Sequence, residues 1–363
     1  MSASAQTQLA ASSPAAKAQV VSLRWIISAR ADLVWFIGSV VSSYALLVLH
    51  LSELIPVWWL VAGWAILIDA PHLFGTFSRT YFDRAERQAR RRLLWGSLAF
   101  FAIGPLMVLA GYALLFFFLA ALWAYYHLVK QHYGFMVLYK KKNADLASAD
   151  NALDRLFILV ALSYPFVAFV AREPEALARV PARLAGAFKF LDAALLMATI
   201  LVALVWLARQ VWRAIKGEPL NVPKYLLLAA AIPMHWVVLL TPMPHKPLAI
   251  VAILTIYHNL QYHRLIWFHN QKYQRGAESR ERHGAAAEFI SRRLLYYVAF
   301  GVLFGLWYQL PRRLVGDING AQSTLTQTIA AFFWGYAFIH YYLDSKIWRV
   351  RRDPSVGKAL RMD

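Results

Sequence analysis

No cysteine occurs in the 363 residues, which excludes disulfides, thiolate-ligated haem and cysteine-held iron–sulfur clusters from the chain. Charge is scarce as well. Asp, Glu, Lys and Arg make up 16 % of the residues against 60 % hydrophobic, whereas a soluble domain carries about a quarter charged. The opening residues are small and polar and lack the basic start, apolar stretch and small-residue cleavage site of a signal peptide. P-loop, Rossmann glycine, G-x-S-x-G and C-x-x-C-H patterns are all missing, so nucleotide, hydrolase and c-type haem chemistry lack support. Together these absences make a lipid bilayer the solvent to assume.

A membrane-crossing helix needs about 20 mostly apolar residues. Ten stretches provide them when the chain is divided at Pro, Gly and charge clusters: 33–51, 56–78, 93–110, 113–139, 153–171, 190–213, 224–241, 247–268, 293–311 and 324–345. The expected fold class is all-α, a polytopic transmembrane helix bundle. Residues 1–30 read as a disordered cytoplasmic tail, 31–348 as a single transmembrane domain and 349–363 as a basic cytoplasmic tail. The third and fourth stretches part near Gly111, and the Gly104-Pro105 step within the third is a kink or an end.

In a soluble protein the net charge of +19 would suggest nucleic acid, but in a membrane protein lysine and arginine record orientation. With both termini inside, the inner segments and inner span ends hold 30 of the 38 Lys and Arg, the outer loops hold 7, and one more, Lys130, lies deeper within a span. This predicts cytoplasmic termini, a bacterial inner membrane and no nucleic-acid partner. The inner segment 264–293 reads as a solvated basic loop facing headgroups, or as an interfacial helix.

Four segments place titratable residues where a bilayer penalises them by roughly 2.5–3.5 kcal/mol each. They contain Asp69 and His72, His127 and His132, His258 and His263, and His340 and Asp344, on the second, fourth, eighth and tenth spans. All four spans run from outside to inside, so helix rise brings the motifs to one depth in the inner half of the bilayer. Asp69/His72 and His340/Asp344 are three and four apart, so each pair shares a helix face and can offer a nitrogen and an oxygen to one centre. His127/His132 and His258/His263 are five apart, roughly 140° around an ideal helix. One helix then serves both halves of a two-metal site, or one histidine of each pair supports the other.

All eight residues are therefore metal-ligand candidates. Imidazole with some carboxylate and no sulfur suits non-haem iron, two atoms of it or one, with zinc, manganese or copper behind it. Gln131, Asn259, Gln261 and nearby tyrosines can orient the rings. His50, His235 and His245 in the outer half, and His269 and His283 in the inner loop, read as structural. Lys130 and Arg264 flank the motifs and either snorkel or hold an acidic headgroup.

The four motifs resemble those of histidine-motif integral-membrane iron oxygenases, the group of fatty-acid desaturases, membrane hydroxylases and alkane monooxygenases. They depart from the desaturase pattern in lacking an H-x-x-H-H box and in the larger number of spans. As a class, the chain is also similar to bacterial carotene-cleaving membrane proteins of the Brp/Blh type. These resemblances imply a membrane-bound, metal-dependent oxidoreductase that uses O₂ on a lipophilic substrate, an acyl chain or an isoprenoid, among membrane lipids. A hydroxylase would need an external electron donor, and a dioxygenase would not. Two other readings compete: a metal-ion or proton transporter, and a subunit whose histidines bind haem or pigment.

Overall fold

A computed structural model describes residues 21–274, 277–350 and 353–362. Among them, ten long helices carry the fold. They are α1 (Ala29–Leu51), α2 (Val57–Thr80), α3 (Arg91–Leu109), α4 (Ala113–Lys142), α5 (Ser148–Arg172), α6 (Ala182–Ile215), α7 (Val222–Leu240), α8 (Lys246–Asn270), α9 (Leu294–Asn319) and α10 (Thr324–Ile347). Eight of these, all but α8 and α10, are long and apolar enough to cross a membrane. Helices α8 and α10 have 25 and 24 residues, and what lowers their apolarity is the polar motif each carries. The chain is thus an all-α, polytopic membrane protein.

Local sequence sets where the helices end and bend. Gly104-Pro105 does not end α3, which runs on to Leu109; the chain turns at Gly111, whose φ of +85° suits a residue without a Cβ. Helix α2 widens into a π turn over Ala65–Asp69, just before Pro71, which has no N–H to offer the carbonyl four residues back. Helix α1 has a similar stretch over Asp32–Ile37. There the Phe36 carbonyl accepts from both Tyr257 Oη and Gln261 Nε2 at 2.7 Å, which pins α8 to α1.

In lipid, helices associate by close packing more than by hydrophobic drive, so small residues mark their contacts. Gly301 and Gly305 of α9 lie against the π turn of α2. A Cβ on Gly301 would meet Pro71 Cβ at 2.9 Å, and one on Gly305 would meet the Ile66 carbonyl oxygen at 2.2 Å. The obstacle at Gly305 is backbone, so the helices themselves must separate. Gly305→Ala is expected to cost about 1–3 kcal/mol, read as a lower unfolding midpoint in detergent; a midpoint equal to wild type would refute this packing.

Buried ion pairs tie the ends of α4 to α7 together. Lys224 Nζ lies 2.8 Å from Asp145 and 3.1 Å from Asp154, Lys140 also reaches Asp154, and Arg213 lies 3.1 Å from Asp145. Such groups persist only because each charge has a partner.

Parts of both expected tails are folded. Val21–Ser22 pair in parallel with Leu220–Asn221, and Ile26 is buried. Near the other end, Val356 and Leu360 are buried, so apolar residues draw this stretch into the core despite its basic composition. The expectation of disorder over residues 1–20 lies outside the described residues.

In the inner segment, read as a solvated loop or an interfacial helix, the described residues are largely helical. Two short helices, Ala277–His283 and Ala285–Ser291, fold beside α2 and the helix Arg84–Ala89. Their anchor is Asp83, which accepts from the Ala85 and Glu86 amides, from Tyr273 Oη at 2.8 Å and from His283 Nδ1 at 3.0 Å. Burial alone would raise the Asp83 carboxyl; the His283 hydrogen bond, the Lys272 charge and the Tyr273 hydroxyl outweigh it and hold it below its ordinary 3.8. A depressed folded value adds stability above pH 3.8 that is lost as pH falls through the folded value. Asp83→Asn should therefore lower the neutral-pH midpoint by about 1–3 kcal/mol and remove part of the acid dependence below pH 4. An Asn variant with unchanged stability and acid slope would refute it.

Candidate metal centre

Helices α2, α4, α8 and α10 each send one imidazole to a common point. His72, His127, His258 and His340 each offer a ring nitrogen such that all four atoms lie within 4.8 Å of one another. The rings are between 0 and 8 % exposed, so no bulk water solvates those nitrogens. His72–His340, His127–His340, His72–His258 and His127–His258 ring centroids are 4.3, 4.7, 4.8 and 5.2 Å apart, all edge-on. The group can hold a metal ion.

Proton bookkeeping supports that fit. Thr76 Oγ1 lies 2.7 Å from His340 Nδ1 and donates to Asp344 Oδ1 at 2.9 Å. Tyr262 Oη, 2.5 Å from Thr76 Oγ1, gives its own proton to the same carboxylate; with the Thr76 proton given there too, Thr76 accepts from His340 Nδ1. That leaves a lone pair on His340 Nε2, which faces His127 Nε2 at 3.1 Å. Two nitrogens so spaced suit ligands roughly 2.0–2.1 Å from one shared ion. Both nitrogens of His72 and Nδ1 of His258 are buried with no hydrogen-bond partner. A buried polar atom left unpaired costs about 1–3 kcal/mol; an ion among these rings removes that cost.

The other four candidates take different places. Asp344 Oδ1 accepts from Thr76 and from Tyr262 Oη at 2.7 Å, which ties this carboxylate to the His340 relay. Asp69, on the π turn, accepts from Asn259 Nδ2 at 3.0 Å. His263 donates from Nε2 to the Ile68 carbonyl at 3.0 Å and has Tyr297 Oη 3.2 Å from Nδ1, so both nitrogens are used. His132 stands apart beside His235, with ring centroids 5.3 Å apart. In each five-residue pair only the first histidine joins the group, as the roughly 140° offset demands.

Sequence reasoning missed Thr76 and passed over His235. A helical wheel could have found Thr76, four residues after His72 on the same face. The amides act on backbone more than on rings: Gln131 donates to the His258 carbonyl at 2.8 Å and Gln261 to that of Phe36.

A cavity of about 860 Å³ reaches this centre. His127, Asp344 and Tyr262 form part of its wall, with Trp123, Tyr341 and Trp348 as aromatic lining. Tyr341 stacks on the His127 ring at 4.5 Å and 26°. Lys130 and Arg349 also line it, and the Lys130 ammonium sits over the Tyr133 ring at 4.4 Å. The wall is mostly aromatic and aliphatic but also carries the cations Lys130, Lys140, Lys141 and Arg349 and the Asp344 carboxyl, which suits a lipophile with a polar end.

No family model matches the chain, and neither a curated protein nor a solved structure does so.

Proposed function

We propose that the protein is a membrane-embedded non-haem iron oxygenase acting on a lipophilic substrate, an acyl chain or an isoprenoid, at a centre on the cytoplasmic side. The observation that carries this reading is an aromatic-rich cavity that reaches His127, one of four buried, converging imidazoles. His72, His127, His258 and His340 would hold the metal, an all-nitrogen set that accepts iron among other metals. When bound, iron supplies the capacity to bind and activate O₂. The chain's own residues do the rest. Thr76 and Asp344 fix the His340 tautomer, Tyr341 holds the His127 ring by stacking, and the Trp123 and Trp348 faces guide an apolar chain past His127.

The orientation rests on the excess of Lys and Arg in the segments between the inner helix ends. A transporter needs a path from face to face. Among the described residues the gathered histidines form one group at one level, which favours chemistry over translocation.

The test uses iron-loaded protein in liposomes with added polyene isoprenoid or unsaturated acyl lipid, with and without an added reductase and ferredoxin. The expected result is O₂ consumption and ¹⁸O entering a lipid product, lost in His127→Ala/His258→Ala. Metal-ion flux without lipid turnover, or an intense Soret band in the pure protein, would overturn the reading in favour of transport or haem.

A further inference from the structure

The pair His132 and His235 lies outside the four-histidine group, and nothing in the reading above uses it. Both rings are fully buried, on α4 and α7. His235 Nδ1 lies 2.8 Å from the Ala231 carbonyl, which can only accept, so this nitrogen carries the hydrogen and Nε2 carries a lone pair. That Nε2 has no partner, and neither nitrogen of His132 has one. Three orphaned imidazole nitrogens at one place are costly in a membrane interior, where no solvent can satisfy them.

The two rings do not hydrogen-bond each other, yet they stand edge-on with centroids 5.3 Å apart and planes at 83°. His127 and His258, which share the first centre, stand at 5.2 Å and 82°. The same geometry therefore recurs at the second place.

The surrounding aromatics offer no alternative partner. Tyr257 packs on His132 at 5.2 Å but spends its hydroxyl on the Phe36 carbonyl, and Tyr125, 6.0 Å from His235, spends its hydroxyl on the Leu162 carbonyl.

We propose that His132 and His235 bind a second metal ion, a monovalent one of the Cu(I) class, held between the two rings. The donors are all neutral imidazoles, which suit copper and zinc among other metals. Among the described residues no carboxylate partners either ring. The cost of burying charge in a low-dielectric interior rises with the square of the charge, so a monovalent ion fits where a divalent one would go uncompensated. The pair's occupancy does not depend on what the first centre catalyses.

The test is an anaerobic Cu(I) titration against a chromophoric chelator. In a His72→Ala/His127→Ala/His340→Ala chain, which leaves the first centre a single ring, one equivalent of Cu(I) is expected to bind. Adding His132→Ala/His235→Ala should abolish it, and X-ray absorption of the bound copper should show two nitrogen neighbours. In the otherwise unaltered chain loaded first with iron, His235→Phe should lose one Cu(I) equivalent and keep its iron, which decides the matter if the fivefold variant fails to fold. Equal copper uptake with and without the pair, or none in a chain whose first centre holds iron, would overturn the proposal. Failure to load iron at the first centre, with copper still bound at the pair, would count against the oxygenase reading alone.

Discussion

A His72→Ala chain is expected to stay folded in the membrane and to lose its metal. Neither nitrogen of His72 makes a hydrogen bond within the protein, so removing the ring breaks no polar contact of the fold. Its loss falls on the ion. Mutating a residue that merely orients a ligand typically costs 10–100-fold in metal affinity, and deleting one of four ligands should exceed about 100-fold. Metal analysis after dialysis against a weak chelator should fall from one ion per chain at this centre to a trace, with helical content and elution volume unchanged.

The comparison with His263→Ala makes the test specific. His263 uses both nitrogens on Ile68 and Tyr297, so its removal should lower the unfolding midpoint by about 1–3 kcal/mol while the metal remains. If the two variants retain equal metal, the four-histidine assignment fails.

Much of this arrangement is legible in the sequence because a bilayer restricts what the chain can do. Its helices must satisfy their own backbone, so ten apolar stretches translate directly into helices. Polar residues inside them are costly enough to mark a site. The five-residue histidine spacing even indicates that only one ring of each pair can face a given centre.

What the sequence hides is anything decided by rotation or partner choice. His235 stands alone in the outer half of an apolar span, and only the packing of α7 against α4 brings it to His132. Asp69 and Asp344 have the spacing of ligands, but hydrogen bonds from Asn259, Thr76 and Tyr262 give them other work. The π turns in α1 and α2 shift the register of everything that follows them, and no residue pattern announces where Phe36 will expose its carbonyl. Burial of Val356 and Leu360 depends likewise on a neighbouring surface that composition cannot reveal.

Thr76→Val tests the least conspicuous part of the centre. Valine keeps the volume and the branching at Cβ and removes only the hydroxyl. That hydroxyl accepts the His340 Nδ1 hydrogen and passes its own to Asp344. Without it, His340 loses the bond that keeps its Nε2 unprotonated, and a flip of tautomer would turn a ligand into a donor pointed at the ion. Asp344 still has Tyr262, so the carboxylate is not abandoned and the fold should hold. The expected result is a 10–100-fold weaker metal affinity, about 1.4–2.8 kcal/mol at 1.4 kcal/mol per tenfold, by competition with a chelator of known strength. Thr76→Ser, which restores the hydroxyl, should recover most of it. A purely steric role for Thr76 predicts the reverse order, with valine harmless and serine, which lacks the methyl, the weaker binder.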